Sequence, residues 1–107
     1  MTYRVRLQPA ALDDLEQAYQ YAAKSAPATA ASWLNRFFEA LQTLENNPQR
    51  CPYAPENVKC QRELRQYLYG RRPNVFRAVF TIEGSTVWIL RIRRASRPDL
   101  KPRELDE

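Results

Sequence analysis

The sequence predicts an α+β domain with the element order βααβββ, in which an N-terminal helical hairpin packs on one face of an antiparallel sheet. Three observations support this fold class: a period-two hydrophobic pattern at the start of the chain, two adjoining segments with helical spacing, and a return to period two beyond residue 64. The 107 residues are enough for one hydrophobic core. We therefore predict one domain over residues 1–98, followed by a charged tail over residues 99–107 that we expect to be frayed.

The N-terminal half predicts a strand and the helical hairpin. Apolar and polar residues alternate over residues 3–8, as in a half-buried strand. A helix of about four turns begins at Pro9, where proline is tolerated, and its apolar stripe starts at Leu12. Residues 25–27 break this helix, and a second helix runs to a stop at residues 46–48. The short connection makes the two helices antiparallel, and we assign the aromatic side chains of the second helix to the core: Trp33, Phe37 and Phe38.

The C-terminal half predicts a loop and three further strands. Residues 48–57 contain three prolines and no apolar period, so they are expected to form a surface loop. Residues 64–69, 75–82 and 86–92 are rich in β-branched and aromatic side chains and are separated by turn-forming segments. Because short turns join successive strands, we expect these three to form an antiparallel meander, with the first strand completing the sheet beside it.

The composition argues against several classes of function. The chain has two glycines and no glycine-rich phosphate-binding motif, so dinucleotide and P-loop sites lose their sequence support. It has no histidine, and Cys51 and Cys60 are too few for a structural zinc site, so we expect no metal and no cofactor. The sequence contains no signal-peptide pattern and no membrane-spanning run, which predicts a cytoplasmic protein without membrane contact. Both cysteines should stay reduced there as loop packing residues, although their spacing would allow a disulfide.

Basic residues are concentrated in the C-terminal half. Residues 1–49 carry four basic and five acidic side chains, whereas residues 50–107 carry thirteen basic and seven acidic ones. Arginine accounts for 14 of the 17 basic residues, and its guanidinium suits bidentate recognition of phosphate and carboxylate. The asymmetry predicts an anionic partner for the C-terminal half, with simple solvation as the alternative for any single arginine.

Three short motifs occur in a characteristic order in this half. They are Arg62-Glu63-Leu64, then Phe76-Arg77-Ala78-Val79-Phe80, then Val87-Trp88-Ile89-Leu90-Arg91-Ile92 leading into Arg93-Arg94. With the opening strand and the long helical hairpin ahead of them, they resemble the RelE/ParE superfamily of small bacterial toxins from type II toxin–antitoxin modules. The resemblance extends over nearly the whole chain. It implies a toxin of the plasmid-stabilisation type that is neutralised by a cognate antitoxin.

The superfamily has two branches, and the sequence is more similar to the ParE-like one. The RelE-like branch cleaves messenger RNA on the ribosome and usually carries a tyrosine or a histidine–tyrosine pair near its C-terminus, but neither residue follows Ser96 here. Resemblance to the ParE-like branch implies a binding inhibitor of DNA gyrase rather than an enzyme. The alternative is a ribosome-dependent endoribonuclease with three candidate catalytic residues: Arg77, Arg94 and Tyr67.

Strand alternation suggests which arginines bind the target. If the last three strands face the same way, the helix-free side of the sheet carries an arginine cluster. We expect this cluster and the segment after the last strand to contact the target through Arg65, Arg77, Arg91, Arg93, Arg94 and Arg97. A second alternative is a basic nucleic-acid-binding module that uses exposed aromatic side chains for base stacking: Tyr67, Tyr69 and Phe76.

The resemblance also implies a second binding surface, for the antitoxin. An acidic, partly disordered antitoxin segment would fold on the toxin, covering the hairpin groove and the sheet edge in a hetero-oligomer. Its predicted contacts are Leu12, Leu15, Tyr19, Arg71 and Arg72.

Overall fold

Within the described residues, 2–60 and 62–105, the computed structural model contains four strands and two long helices. In chain order the elements are β1 (Arg4–Leu7), α1 (Pro9–Ala23), α2 (Pro27–Gln42), β2 (Arg65–Arg71), β3 (Asn74–Glu83), β4 (Thr86–Arg94) and a short α3 (Pro102–Leu105). Three 3-10 turns lie between α2 and β2: Thr43–Glu45, Pro48–Arg50 and Pro55–Lys59. The predicted α+β fold class and the order βααβββ are confirmed.

A proline begins each long helix. Pro9 and Pro27 stand in the first turns of α1 and α2, where a backbone N–H would have no intrahelical partner. Neither helix has a side-chain cap, so burial of its apolar stripe holds it on the sheet. Phe37 is fully buried, but Phe38 is 39% exposed. The assignment of Phe38 to the core is therefore wrong, because the aromatic stripe is wider than the face that the sheet covers.

The sheet has the strand order β1-β4-β3-β2. The predicted antiparallel meander of β2, β3 and β4 is confirmed. β1, however, runs parallel to β4, so the prediction of a wholly antiparallel sheet is wrong at this strand. Hydrophobic alternation carries no information about strand direction, and the helical hairpin and the meander supply the long crossover that a parallel neighbour needs.

The sheet is packed on both faces. On the helix side, Phe80, Val87 and Ile89 pack against Leu15 and Phe37 of the two helices. On the opposite side a second apolar cluster forms from strand residues, the connection before β2 and the C-terminal segment: Ala54, Leu64, Val79, Leu90, Leu100 and Leu105. Burial on both faces explains why β3 and β4 have nearly continuous apolar runs.

The C-terminal segment is packed and not frayed. Leu100 and Leu105 are 1% and 3% exposed in the second cluster. The backbone N–H of Leu100 donates to Glu56 Oε2 at 2.7 Å, and Arg62 Nη2 donates to the carbonyl of Leu105 at 2.8 Å. The prediction of a frayed tail is therefore wrong for residues 99–105, since two isolated leucines among charged residues and prolines give no periodic signal. Residues 106 and 107 of that tail lie outside the described residues.

The two cysteines pack on opposite sides of the sheet. Cys51 is buried in the helix-side core, and Cys60 lies against the second cluster. Both are free thiols, and burial raises the pKa of the Cys51 thiol. Their predicted role as packing residues is confirmed. None of the described helices is long and apolar enough to cross a bilayer.

Candidate functional site

The strand register divides the predicted arginine cluster between the two faces of the sheet. Residues directly opposite each other in antiparallel strands share a face. Arg65 lies opposite Phe80 on the helix side, whereas Arg77 and Arg93 lie opposite each other on the other side. The prediction of one arginine face is therefore wrong. Alternation gives the facing within each strand, but a one-residue change of register between strands reverses it.

Arg77 is buried in an ion pair with Glu56. Arg77 is 4% exposed and Glu56 is 0% exposed. Both terminal nitrogens of Arg77 donate to the Glu56 carboxylate, Nη1 to Oε1 at 2.9 Å. Burial alone would raise the pKa of Glu56, but hydrogen bonds from Arg77 and from the Leu100 backbone N–H hold this pKa below its usual value. Arg77 is thus held in the interior by this pair, which argues against its predicted roles in target binding and catalysis.

Glu56 comes from the segment that was predicted to be a surface loop. Its 3-10 turn, Pro55–Lys59, places the carboxylate beneath the sheet, and Ala54 is buried beside it. The prediction of a surface loop is therefore wrong for this part. An acidic residue directly after a proline carries no sequence signal of burial, because charged side chains are almost never fully buried unless they are paired.

Asp14 of α1 holds Arg91 at the edge of the sheet. Arg91 donates to Asp14 Oδ2 through Nε at 2.7 Å and to Oδ1 through Nη2 at 2.9 Å. The same Oδ2 accepts the backbone N–H of Ile92 at 2.9 Å. Hydrogen bonding with Asp14 raises the pKa of Arg91. This carboxylate ties α1 to β4, so the Arg91 charge is already compensated within the chain.

Glu104 of the C-terminal segment compensates Arg93. Arg93 Nη2 donates to Glu104 Oε2 at 3.1 Å, and Nη1 donates to the carbonyl of Pro98 at 2.9 Å. The backbone N–H of Lys101 is the main cause that lowers the pKa of Glu104, with Arg91 and Arg93 adding to it. Arg93 is 9% exposed, so the expectation of an open target-binding arginine is wrong at this position.

Arg65 and the aromatic side chains of β2 and β3 also make contacts within the chain. Arg65 Nη1 donates to the carbonyl of Cys51 at 2.7 Å, and its guanidinium lies 4.4 Å from the centre of the Tyr53 ring. Tyr69 stacks on Phe37 with ring centres 4.5 Å apart, and Phe76 lies 5.3 Å from Trp33. The stacking platforms of the nucleic-acid-binding alternative are therefore covered by the helices.

The three candidate ribonuclease residues do not converge. Tyr67 lies opposite Ala78 and packs against the helix-side core, whereas Arg77 points to the other face. Arg94 lies opposite Phe76 on the helix side, and its guanidinium is 5.1 Å from the Phe76 ring centre. The opposite facing of Arg77 and Tyr67 argues against their contacting one phosphodiester.

The predicted antitoxin contacts on α1 differ in exposure. Leu15 is 2% exposed and belongs to the core, which argues against its predicted contact with the antitoxin. Leu12 is 48% exposed and lies beside Phe38 in a shallow apolar depression on the outer face of the hairpin. Tyr19 is half-buried. Arg71 and Arg72 are exposed at the turn between β2 and β3.

A groove of about 700 Å³ lies between the helical hairpin and the C-terminal half of β4, and we call it the β4 groove. β1 pairs with β4 only as far as Ile89, so the edge of β4 is free of a neighbouring strand beyond that residue. Apolar side chains on the groove include Ala22, Ala30, Trp33, Phe76 and Ile92, and the basic ones are Lys24, Arg91, Arg93, Arg94 and Arg97.

The β4 groove can accept an acidic chain segment. Apolar side chains offer burial, and cations offer charge complementarity. At the strand edge, the Ile92 N–H is already bound by Asp14 and the Arg94 carbonyl by the Arg97 N–H. This site was not predicted, because Trp33 was assigned to the core and Phe76 to base stacking, whereas both line the groove. The available signal was the shortness of β1, which ends before Pro9 and leaves half of a longer β4 unpaired. No group of three or more His, Cys, Asp or Glu side chains that could hold a metal occurs among residues 2–60 and 62–105.

Comparison with known families identifies the chain. Residues 5–98 match the family described as ParE toxin of type II toxin-antitoxin system, parDE. The chain belongs to this family. The predicted resemblance to the ParE-like branch is thereby confirmed, and the ParE-family match spans every strand and both long helices apart from the first residue of β1.

A solved structure shares the fold of this ParE-family chain. It is titled "Chromosomal ParDE TA system from P. aeruginosa", and the superposition has a TM-score of 0.71 at 23% sequence identity. The similarity covers 87% of this chain and 96% of that one. No curated protein matches the chain.

Proposed function

We propose that this ParE-family toxin inhibits DNA gyrase by binding it, without turning over a substrate of its own, and that a cognate antitoxin neutralises it. The observation that carries the proposal is the burial of Arg77 against Glu56, on the face of the sheet opposite Tyr67. Ribonuclease chemistry needs acid, base and phosphate-stabilising groups around one phosphodiester. With those groups separated by the sheet, a binding mechanism fits this ParE-family chain better. The proposal places the toxin in the cytoplasm, where gyrase acts on DNA.

The purified, antitoxin-free chain is expected to abolish supercoiling by DNA gyrase, with accumulation of cleaved DNA. The discriminating variant is Tyr67→Phe, which keeps the ring that packs against the helix-side core and removes the hydroxyl. A ribonuclease that used this hydroxyl as acid or base would lose about 10²–10⁴-fold in rate. We expect Tyr67→Phe to inhibit gyrase as strongly as the wild type. Unimpaired gyrase beside a normally folded chain, with Tyr67-dependent cleavage of ribosome-bound messenger, would contradict the proposal.

The antitoxin part of the proposal rests on the β4 groove. Its combination of apolar and basic side chains suits an acidic segment that folds on binding. Such a segment can bury apolar side chains in the groove while its acidic side chains meet Arg94 and Arg97. We therefore propose this groove as the antitoxin site, in a hetero-oligomer of toxin and antitoxin.

Charge reversal at the groove tests this assignment. We expect Arg94→Glu with Arg97→Glu to weaken antitoxin binding by about tenfold or more, because attraction becomes repulsion. The matched control reverses two exposed arginines of β1, Arg4 and Arg6, which pair with the first half of β4 and lie away from the groove. Thermal unfolding with and without saturating antitoxin measures the effect, since a ligand of the native state raises the midpoint. Equal losses in both double variants would refute a specific groove site.

A further inference from the structure

We propose that the end of the sheet around the β2–β3 turn binds the phosphate backbone of duplex DNA. We call this surface the cationic end and define it by Lys24, Arg71, Arg72, Arg94 and Arg97. The inference rests on the proposed function for the choice of DNA, because a gyrase inhibitor meets its target on a DNA duplex. The surface itself is derived from the positions and charges of these five residues.

The strand topology brings these residues together. β2 ends at Arg71, β3 begins at Asn74 and β4 ends at Arg94, so all three termini lie at the same end of the sheet. Arg71 is paired with Asn74, and the side-chain oxygen of Asn74 accepts Arg94 Nη1 at 2.8 Å. Arg97 follows in a turn whose N–H donates to the carbonyl of Arg94 at 3.1 Å. Lys24, at the turn between the helices, lines the same cavity as Arg94 and Arg97.

The charges of the cationic end are uncompensated. Acidic side chains within 4.0 Å pair with Arg62, Arg77, Arg91 and Arg93, but with none of the five cationic-end residues in the part of the chain that the structure describes. Four of the five are exposed, and Arg94 is half-buried over the Phe76 ring. Clustered like charges repel one another, and a polyanion relieves that repulsion while releasing its own counterions.

Duplex DNA fits this surface better than a single strand does. Binding of single strands relies on exposed aromatic side chains that stack on the bases. Here Phe76 is 8% exposed and Tyr69 is stacked on Phe37, so the aromatic side chains of the adjoining strands are covered. Exposed arginines without a base-stacking platform make phosphate contacts, which hold DNA irrespective of its sequence. Through these phosphate contacts the toxin would bind the DNA on which gyrase acts.

Fluorescence anisotropy of a labelled DNA duplex tests the inference. The duplex has about 30 base pairs of arbitrary sequence and is titrated with antitoxin-free toxin at salt concentrations between about 50 and about 200 mM. For the wild type, the logarithm of the association constant is expected to fall linearly with the logarithm of the salt concentration. Arg71→Gln with Arg72→Gln should weaken binding about tenfold at about 100 mM salt and reduce the slope by about 2. The matched control, Arg4→Gln with Arg6→Gln, also removes two exposed arginines, but at β1. It should leave affinity and slope nearly unchanged.

Several outcomes would overturn the inference. The first is absence of salt-dependent binding by the folded wild type, and the second is an equal loss in both double variants. Tighter binding of a single-stranded RNA of the same length would exclude the choice of duplex DNA. Loss of antitoxin binding, with unchanged DNA binding, in the Arg71/Arg72 variant would assign the turn to an acidic protein segment instead. Circular dichroism verifies that each variant is folded.

The two proposals fail separately in this design, because DNA binding is measured without gyrase. Salt-dependent binding that needs Arg71 and Arg72, beside unimpaired gyrase, would refute the proposed function and leave the DNA site in place. Gyrase inhibition by a toxin whose DNA affinity does not depend on these arginines would refute the DNA site alone.

Discussion

Replacement of Glu56 by glutamine is expected to lower the free energy of unfolding by about 3–5 kcal/mol, the usual cost of leaving a buried charge without its partner. The amide keeps an acceptor for the Leu100 N–H and nearly the same volume, so the change removes mainly the negative charge. Arg77 would then hold its positive charge at 4% exposure without compensation. Urea unfolding followed by circular dichroism measures the change.

The exposed ion pair between Arg62 and Glu83 provides the control. Arg62 Nη1 lies 4.0 Å from Glu83 Oε2, and the two side chains are 39% and 59% exposed. Glu83→Gln should therefore lower the free energy of unfolding by less than about 1 kcal/mol. A similar small cost for Glu56→Gln would contradict a structural role for the buried pair.

The effect of Glu56→Gln should also depend on pH. The pKa of Glu56 is lowered in the folded chain, so its stabilising contribution is complete above its unfolded pKa and is lost as the pH falls through the folded value. The stability difference between wild type and variant should therefore shrink in acid. A difference that grows as the pH falls would contradict this assignment.

The buried pair changes how toxicity assays of Arg77 variants are to be interpreted. Removal of Arg77 would leave the Glu56 carboxylate buried without its partner, and it would loosen the C-terminal segment that Glu56 holds through Leu100. Loss of toxicity in Arg77→Ala would thus be explained by unfolding. The exposed Arg97 and the half-buried Arg94, neither of which is in an ion pair with a described acidic residue, test binding without this complication.

Most of the fold could be predicted from hydrophobic periodicity. The strand predicted over residues 75–82 is observed as Asn74–Glu83, and the strand predicted over 86–92 as Thr86–Arg94. The helical hairpin was found because Pro9 and Pro27 begin helices whose apolar stripes repeat at three- and four-residue steps. These signals are local, so each can be recognised without knowledge of what packs against the element.

The sequence predicts which residue types form the candidate site but not how they are arranged. The sequence identified the arginines, but the ion pairs of Arg91 and Arg77 join residues 77 and 21 positions apart in the chain. Such partners depend on strand register and on a β1 that ends early, and neither is encoded in a local pattern. The β4 groove arises from the same two features, which is why its position became visible only in the folded chain.

Truncation of Leu100 to alanine is expected to lower the free energy of unfolding by about 2–5 kcal/mol, as for other fully buried leucines. Leu100 is 1% exposed and packs with Val79 and Leu90 on the side of the sheet away from the long helices. A cavity there would also disturb the neighbouring N–H that binds Glu56, so its effect should not be additive with Glu56→Gln. Urea unfolding of both single variants and of the double variant measures this coupling.

Val58→Ala provides the matched control for Leu100→Ala, because Val58 is 86% exposed and its truncation should change stability by less than about 0.5 kcal/mol. If Leu100→Ala were as mild as Val58→Ala, the C-terminal segment would be the loose tail that its charged sequence suggests. A large loss would instead show that residues 98–105 complete the second core. The toxin fold would then extend past the family match, which ends at residue 98, because the sheet face carrying Arg77 and Arg93 needs Leu100 and Glu104 to cover it.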